Sequence, residues 1–429
     1  MSGALLGLVA YGNQDVYLTK DPNVTFFKSA FKRYSMFQKE VVALSANGNP
    51  AFGRKITVPI VRSGDLASKC YVEMVLPQLV APDNMNIAWC KYVGLSLLES
   101  VEFLIGGAKV DKHYSTWLII MHELYTKPGK EKNADIMIGN VDLLTTPKPI
   151  IPEYKVRVPL QFFFNRFYKQ ALPLVALQYN PCQFDIQFKR AEDLYTIYDV
   201  SGPTPVPTSK TLPIAPILGA VNVWCEYIFL EDEERDAIVA DVVDVVFEQT
   251  QFNSPEAYTG PKLKSRLAFN HPVSELFFMI QLNANVDNGA NRWADFTMSG
   301  NDSSKAYNGD QPLRSATLML NGNDRFAAQD AMYFNNQVPY ECHSRSPAAG
   351  IYCYSFANNP EDAQPSGTLN FSRIDSAALA IETNTGNQPY NLLVFCKNYN
   401  VLRYKNGQAG VSFSSIFTLH FSTRKYYKR

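Results

Sequence analysis

The segment SATLMLNGNDRF, residues 315–326, places two asparagines and an aspartate within four residues, and such side chains supply the oxygen ligands that calcium prefers. A calcium loop of the EF-hand type, however, needs its glycine at the sixth position and an acid at the twelfth. Here Gly322 is second and Met332 is twelfth, counted from Asn321. Asn-Gly after an apolar run is instead the strongest short-range signal for a β-hairpin. We therefore predict a turn at this position rather than a cation site.

Other groupings of reactive side chains are equally incomplete. The tetrapeptide MHEL resembles the start of a zinc-protease motif, but the residue four places after His122 is Thr126 and not a second histidine. Cys342, His343 and Cys353 could be imagined as zinc ligands, and we interpret them instead as a loop with one incidental histidine. The sequence contains neither G-x-S-x-G nor a phosphate-binding loop. We predict no catalytic residue, no metal site, no cofactor and no small-molecule substrate.

The composition indicates large apolar cores and no dominant charge. Hydrophobic residues make up 46% of the 429 residues, and 40 Lys and Arg balance 40 Asp and Glu. A chain without excess positive charge has no general attraction to nucleic acid, so we expect no sequence-specific nucleic-acid partner. The seven cysteines include no C-x-x-C and favour buried thiols over a disulfide framework. The N-terminal segment lacks the basic region of a signal peptide, and no segment is predicted to span a membrane.

Most of the chain has the pattern of short strands separated by turns. These runs are rich in Val, Ile, Phe, Tyr and Thr, several alternate with a period of two, and no strand–helix–strand rhythm is present. We predict an all-β chain of mostly antiparallel strands. The predicted strands are KITVPIV, CYVEMVL, SVEFLI, YKVRVPLQFFF, FDIQFK, VWCEYIFL, ELFFMIQL, ATLML, LLVFC and SFSSIFTLHF.

Two segments have the pattern of helices. In residues 21–37, Asp21 can cap a helix, Pro22 suits its first position, and aromatic residues recur at three- and four-residue steps. Residues 231–240 carry acids at their start, where the helix dipole favours negative charge. Long polar insertions between the strands are predicted to form functional surface; they are residues 121–155, 190–217, 283–312 and 343–366.

The turn after Ser315 has a counterpart after Ser100, about 210 residues earlier. Each serine is followed by a strand, a Gly-containing turn, a charged return and a helix-like segment with an aromatic residue, Trp117 or Tyr333. CYVEMVLPQL and ELFFMIQLNA upstream, and VPLQFFF and GTLNFSR downstream, match in the same order. The same β unit therefore occurs twice, and a unit of roughly 200 residues with about eight strands fits a jelly roll.

The predicted architecture is thus a tandem double jelly roll, two eight-stranded antiparallel β-sandwich units with a few short helices. We expect an N-terminal arm with its amphipathic helix at residues 1–35, a first jelly roll at residues 36–235 and a second at residues 236–429. The acidic helix at 231–240 would then lie at the junction.

Four segments resemble the major capsid proteins of nucleocytoplasmic large DNA viruses, especially the shorter members of the chlorella-virus type. These segments are LVAYGNQDVYLTKDPNVTFFKSAFKRYSMFQKE near the N-terminus, LPLVALQYNPCQFDI, GTLNFSRIDSAAL and NYNVLRYKNGQAGVSFS. They occur in family order and extend over essentially the whole chain. The resemblance implies a double jelly roll that forms homotrimers, hence pseudo-hexagonal capsomers that tile an icosahedral virion shell. It also implies assembly in the host cytoplasm, with minor capsid proteins and an internal viral membrane beneath the shell.

The resemblance further implies that the N-terminal arm lies on the inner side and the long loops on the outside. Phe27, Phe31, Lys32 and Arg33 are then candidates for inner-face contacts, although Phe27 and Phe31 could instead pack under their own barrel. Asn301, in an N-x-[ST] sequon within a long polar loop, is a candidate glycosylation site. A second hypothesis is a glycan-binding jelly roll of the lectin type, which should carry aromatic platforms or calcium-binding acids on one set of loops.

Overall fold

The computed structural model describes residues 3–26, 34–200, 206–208, 210–240, 242–287, 289–298 and 310–413. All strand pairings in this part of the chain are antiparallel. The strands are β1 (Phe37–Leu44), β2 (Lys55–Ile60), β3 (Leu66–Leu76), β4 (Leu79–Val80), β5 (Met85–Trp89), β6 (Leu98–Ile105), β7 (Ala108–Tyr114), β8 (Ile150–Ile151), β9 (Tyr154–Pro159), β10 (Leu172–Pro173), β11 (Cys182–Phe188), β12 (Tyr195–Asp199), β13 (Val206–Thr208), β14 (Val221–Leu230), β15 (Val243–Thr259), β16 (Lys262–Arg266), β17 (Pro272–Leu282), β18 (Leu313–Leu320), β19 (Asn323–Asp324), β20 (Gln329–Asp330), β21 (Ile351–Ser355), β22 (Leu369–Asn370), β23 (Ala377–Thr383), β24 (Pro389–Lys405) and β25 (Gln408–Val411).

The helices are short, and none of those described has the length and apolar character that crossing a membrane requires. They are α1 (Gly3–Val9), α2 (Asn13–Thr19), α3 (Val93–Leu97), α4 (Ser115–Tyr125), α5 (Glu131–Ile138), α6 (Asp142–Thr145), α7 (Phe163–Arg166), α8 (Asp232–Ala240), α9 (Asn283–Val286) and α10 (Val338–Cys342). A π-helical turn, Tyr333–Gln337, leads directly into α10.

Strands β1 to β14 form two main sheets that pack face to face, and we call this unit the first roll. One sheet has the order β1-β14-β3, with β9 and β10 also pairing with β3, and the other has the order β2-β11-β6-β7. Strands β15 to β25 form the second roll with the same topology. Its sheets are β15-β24-β17-β21 and β16-β23-β18-β19. Because every main strand has a counterpart in the same place, the predicted tandem double jelly roll is confirmed.

Alternating side chains explain why these segments form sandwiches. In β2, Ile56, Val58 and Ile60 are buried while Lys55 points outward, as a strand with one face on a core requires. In the first roll, Phe103 and Phe184 come from neighbouring strands and their ring centroids lie 5.7 Å apart. Such aromatic pairs bury large apolar areas and add specific ring packing. The strand predictions therefore succeed where one face of the sheet is apolar.

The Asn321–Gly322 turn is a hairpin, as predicted. Both residues have positive φ, 49° and 83°, which is the backbone conformation of a type I′ turn. The counterpart Gly106–Gly107 has φ angles of 57° and 81° and makes the same turn between β6 and β7. In β18, Ser315 pairs with Asp330, and in β6 Ser100 pairs with Tyr114, so the two hairpins return to equivalent positions. The internal repeat in the sequence is thus a repeat of structure.

Two local predictions were wrong in part, and a third is not tested. The predicted acidic helix is present as α8. The predicted helix 21–37 is not helical at its ends, because Asp21 has a left-handed φ of 50° and Phe37 begins β1. Pairing of β1 with β14 outweighs the local helical pattern there. The strand predicted through Phe164 stops at Pro159, and Phe163 already begins the short helix α7. The predicted strand that begins at Ser412 lies mostly outside the described residues.

Candidate functional site

The residues predicted to contact partners all lie outside the described part of the chain. This holds for Phe27, Phe31, Lys32 and Arg33 and for the predicted glycosylation site Asn301. Their roles therefore remain predictions.

The polar residues of the Asn321 turn stabilise the turn itself. The Asn321 side-chain oxygen accepts a 3.0 Å hydrogen bond from the backbone N–H of Ser376. The backbone N–H of Asn321 donates in return to the Ser376 carbonyl at 2.7 Å. In the MHEL segment, His122 Nε2 lies 3.2 Å from Asp135 on α5 and makes a local contact between two helices. Across the residues that the structure describes, no group of three or more His, Cys, Asp or Glu is placed to hold a metal ion.

The structure instead brings many residues together at the junction between the two rolls. Helix α4 belongs to the first roll, and its residues Trp117, Ile120, Met121 and Leu124 pack in one apolar cluster with β17, β21 and β24 of the second roll. The ring centroid of Trp117 lies 5.4 Å from that of Phe277 and 5.8 Å from that of Phe395. Since Trp117 is only 2% exposed, this contact is a core contact between two units.

A buried group of charged residues lies beside this apolar contact, and we call it the charged cluster. Its members are Tyr125, Arg166, Glu248, Glu275, His343, Glu361 and Lys397. Lys397 is 2% exposed, and its Nζ lies 2.8 Å from Glu275 Oε2 and 3.4 Å from Glu248 Oε1. The same ammonium donates hydrogen bonds of 2.6 Å to the Tyr125 hydroxyl and the Pro360 carbonyl. A buried charge of this kind is tolerated only when it is paired and fully hydrogen-bonded.

Two first-roll residues complete the charged cluster. Tyr125 donates a hydrogen bond to Glu275, and Arg166 pairs with Glu248. The Arg166 guanidinium also lies over the Tyr125 ring, 4.7 Å from its centroid. Burial opposes charge on Arg166, but the carboxylate of Glu248 and other negative groups outweigh it and raise the pKa of Arg166. The charged cluster therefore links the first roll to the second through directed contacts that add to the apolar ones.

His343 is part of this cluster and not an incidental loop residue, so that interpretation of the sequence was wrong. Its side chain is 0% exposed; Nε2 lies 2.9 Å from Glu275 and Nδ1 lies 3.4 Å from Glu361. Neither ring nitrogen forms a hydrogen bond with the described residues, so these are mainly electrostatic contacts. Burial alone would lower the pKa of His343, but the charge of Glu275 and the neighbouring polar groups raise it to about 12. His343 is therefore a buried cation at neutral pH.

This charge state predicts a pH dependence of stability. The pKa of His343 rises from 6.5, so its contribution is full below pH 6.5 and is lost as pH rises toward about 12. Burial opposes charge on Glu275, but Lys397 and His343 lower its pKa far below 4.5, so its contribution is full above pH 4.5. We expect the difference in unfolding free energy between the native protein and His343→Gln to be largest from pH 4.5 to 6.5. Above that window it should shrink by up to about 1.4 kcal/mol per pH unit.

Denaturant titrations of both proteins at several pH values test this expectation. The glutamine in the His343→Gln variant keeps a polar side chain but cannot take up a proton, so the comparison isolates the imidazolium charge. A difference in unfolding free energy that stays constant between about pH 6 and pH 9 would show that His343 is neutral in the folded protein.

The cores of the two rolls are also shared directly. Phe247, Leu402 and Tyr404 come from the second roll and are buried in the hydrophobic core of the first. Polar contacts support the same junction, since the Trp293 indole N–H donates to the Asp193 carbonyl at 2.6 Å. A further ion pair at the junction joins the Arg345 guanidinium to the Glu131 carboxylate at 2.7 Å. Together these contacts hold the rolls in one fixed relative orientation.

The described part of the N-terminal arm, in contrast, contributes no buried residue. Helices α1 and α2 have none, and Leu8, Tyr17 and Phe26 are 79%, 90% and 94% exposed. Exposed apolar side chains in such density are typical of a surface that contacts another molecule.

Two charged residues within apolar runs of the sequence are a signal for the charged cluster. Lys397 interrupts the apolar run LLVFCKNYNV, and Glu275 begins the apolar run ELFFMIQL. A charged residue inside a strand that is buried on both faces must find a partner, because lysine and glutamate are almost never buried unpaired. Their mutual pairing could have been proposed, but the contributions of Tyr125 and Arg166 could not, since these residues lie far away in sequence.

Comparisons with known proteins place these features in context. Residues 25–231 match the family model of the major capsid protein N-terminus, and residues 234–410 match that of the large eukaryotic DNA virus major capsid protein. The chain is 34% identical to the major capsid protein of Paramecium bursaria Chlorella virus 1, over 97% of this chain and 100% of that protein. It is 33% identical to the major capsid protein of Pyramimonas orientalis virus, again over 97% and 100%.

Solved structures agree with these matches. PBCV-1 VP54, in the crystal structure fitted into a cryo-EM reconstruction of the virophage Sputnik, has a TM-score of 0.76 at 29% identity, covering 91% of this chain and 100% of that chain. The Faustovirus major capsid protein has a TM-score of 0.75 at 14% identity, covering 94% and 96%. At that lower identity the likeness concerns the fold alone.

Proposed function

This chain belongs to the major capsid proteins of large eukaryotic DNA viruses, and from that premise we propose that three copies form a pseudo-hexagonal capsomer. As a major capsid protein, it associates with further copies of itself in the capsid shell of the virion. The observation that supports a trimer is the duplication itself, two rolls of the same topology held in one orientation. Three such chains around one axis present six similar units, so a closed threefold ring can occupy a hexagonal lattice position.

The role of the chain in this proposal is structural and not enzymatic. The relatives described above are capsid proteins, so the lectin-type alternative is not supported. An icosahedral shell built from such capsomers needs contacts within each trimer, between neighbouring trimers and toward the inside. The candidate surfaces for these contacts are the long loops and the N-terminal arm.

We assign the inward contacts to the N-terminal arm, including Phe27, Phe31, Lys32 and Arg33. The partners would be minor capsid proteins and the internal viral membrane. The support is that the described part of the arm is apolar, exposed and without contacts to a core. The proposed division into an arm at 1–35, a first roll at 36–235 and a second at 236–429 is consistent with main strands that run from Phe37 to Leu230 and from Val243 to Val411. Glycosylation of Asn301 on the outer side belongs to the same proposal.

The oligomeric state provides the test. Purified protein should scatter light as a particle of three times 48.2 kDa and appear as hexagonal particles in negative stain. A variant that lacks residues 1–35 should remain trimeric, because the described part of the arm packs on neither core. A stable monomer that binds an oligosaccharide tightly would contradict the capsomer proposal and support the lectin-type hypothesis instead.

A further inference from the structure

The helix that joins the two rolls of one chain, α4, has a counterpart in the second roll whose outward side is exposed. In the first roll, α4 follows β7 and packs against β17 and β24 of the second roll. In the second roll, the helical stretch of residues 331–342 follows β20 in the same way. Its outward side has no such cover among the described residues, since Met332 and Tyr340 are 66% and 86% exposed.

Strand pairing fixes which residues correspond. Tyr114 pairs with Ser100 and Asp330 pairs with Ser315, so Tyr114 and Asp330 hold equivalent positions directly before the two helices. Counting forward makes Tyr333 the counterpart of Trp117. The outward side of residues 331–342, which we call the outer helix face, therefore corresponds to the α4 side that contacts the second roll. It consists of Met332, Tyr333, Asn336, Gln337 and Tyr340.

The surface that would receive this helix is also present. Phe277 pairs with Phe395 and Cys353 in the second roll, and in the first roll Tyr71 pairs with Trp224 and Pro159. At the start of the two strands Ala67 pairs with Leu172 of β10 and Val273 pairs with Leu369 of β22, so these two residues hold equivalent positions. Counting forward makes Tyr71 the counterpart of Phe277, which contacts Trp117. At Tyr71 the protein has a groove of about 520 Å³ with a mostly apolar lining that includes Leu118, Ala134, Met137, Pro159 and Gln161. We call this cavity the Tyr71 groove.

We propose that the outer helix face of one copy binds at the Tyr71 groove of a second copy of this chain. The inference rests on the proposed function and names the surfaces that close its ring. The contact repeats between chains the contact that already exists within one chain, so that each roll holds the next one around the ring. A head-to-tail contact of this kind joins two different surfaces and forms a closed assembly when its rotation matches the symmetry.

On both surfaces of the proposed contact, polar residues stand where the contact within the chain has apolar ones. Ile120 and Met121 on α4 correspond by count to Asn336 and Gln337 on the outer helix face. On the receiving side, the apolar pair Met279 and Leu393 corresponds by strand pairing to Glu73 and Asn222.

Both surfaces of the proposed contact are therefore more polar than their counterparts inside the chain. Glu73 is itself buried, but it is paired with Arg157 at 2.6 Å and with Lys155 at 3.6 Å, whose side chains are more than half exposed, so this part of the receiving surface is charged but balanced. The surfaces of a contact between chains face water before assembly, whereas those of a contact within one chain are permanently buried. This matched change favours a second copy over a membrane or an apolar ligand as the occupant.

A site-specific photo-cross-linker at position 340 tests the contact directly. Benzoylphenylalanine replaces Tyr340 in the full chain, and cross-linked peptides are identified by mass spectrometry after the assembled protein is irradiated. We expect cross-links between copies that end near Tyr71, at residues 133–138 or at residues 159–161. The matched control places the same group at Tyr17, which is 90% exposed on the N-terminal arm and should give no cross-link to these residues.

Two substitutions extend the test. Tyr340→Arg and the groove-filling Ala134→Trp should each raise the protein concentration at which the trimer dissociates by about tenfold or more, while Tyr17→Arg leaves it unchanged. Trimers that form normally but cross-link elsewhere, or that tolerate both substitutions, would overturn this inference and leave the proposed trimer intact. A native protein that stays monomeric at every concentration would overturn the proposed function and this contact with it.

Discussion

Replacing Lys397 by methionine should lower the free energy of unfolding by about 3–5 kcal/mol, the cost of removing one partner from a group of buried, paired charges. Methionine keeps the length and apolar stem of lysine but removes the ammonium that lies 2.8 Å from Glu275 and 3.4 Å from Glu248. Glu275 is 0% exposed and cannot recover its hydration where it lies. The loss is measured by denaturant unfolding of the purified protein near pH 6.

The matched control is Lys262→Met. The Lys262 ammonium lies 2.5 Å from Glu382, but its side chain is 76% exposed, and such surface ion pairs contribute at most about 1 kcal/mol. The combined variant Lys397→Met with Glu275→Gln should be more stable than Lys397→Met alone, because it also removes the negative charge that is left in excess in the charged cluster. Equal losses for Lys397→Met and Lys262→Met would contradict the role assigned to the charged cluster.

Truncation of Trp117 to alanine should cost a similar amount, about 3–5 kcal/mol, because it leaves a large cavity in a packed apolar contact. Trp117 is 2% exposed and contacts Phe277 and Phe395 across the junction of the rolls. Trp117→Phe should recover part of the loss, since a smaller aromatic ring still fills part of the space. Thermal and denaturant unfolding of the three proteins measure the differences.

Ile214→Ala serves as the control for this truncation. Ile214 is 83% exposed, so the loss of its side chain should change stability by no more than about 0.5 kcal/mol. A small effect of Trp117→Ala would mean that the two rolls are held together mainly by the charged cluster and by the second-roll side chains buried in the first core. In that case the apolar contact between α4 and the second roll would only exclude water.

The architecture could be predicted because it depends on local patterns. Alternation in β2, the Asn-Gly turn and the order of matched segments all follow from residues that are neighbours in sequence or along one hairpin. The failures arose where a distant partner decides the outcome. Residue Phe37 enters β1 because it pairs with Leu230, and no local signal carries that information.

The junction was unpredictable for the same reason. The sequence of helix α4 has the pattern of an ordinary apolar segment. Only the fold shows that one side of this helix packs on the first roll and the other side on the second. His343 looked like an isolated histidine because Glu275, Tyr125 and Lys397 are contributed by three other parts of the chain. Electrostatic partners at large sequence separation are a property of the tertiary structure, so the charge of such a residue cannot be assigned from its neighbours in sequence.

The sharing of Phe247, Leu402 and Tyr404 between the cores means that duplication has not produced two autonomous modules. If the second roll unfolded alone, it would withdraw three large side chains from the interior of the first and leave an open hole there. Heating should therefore melt both rolls in a single cooperative transition and not in two separate steps. For the same reason, a chimaera that exchanges one roll with that of a relative would fold only if these three positions were exchanged with the interior that receives them.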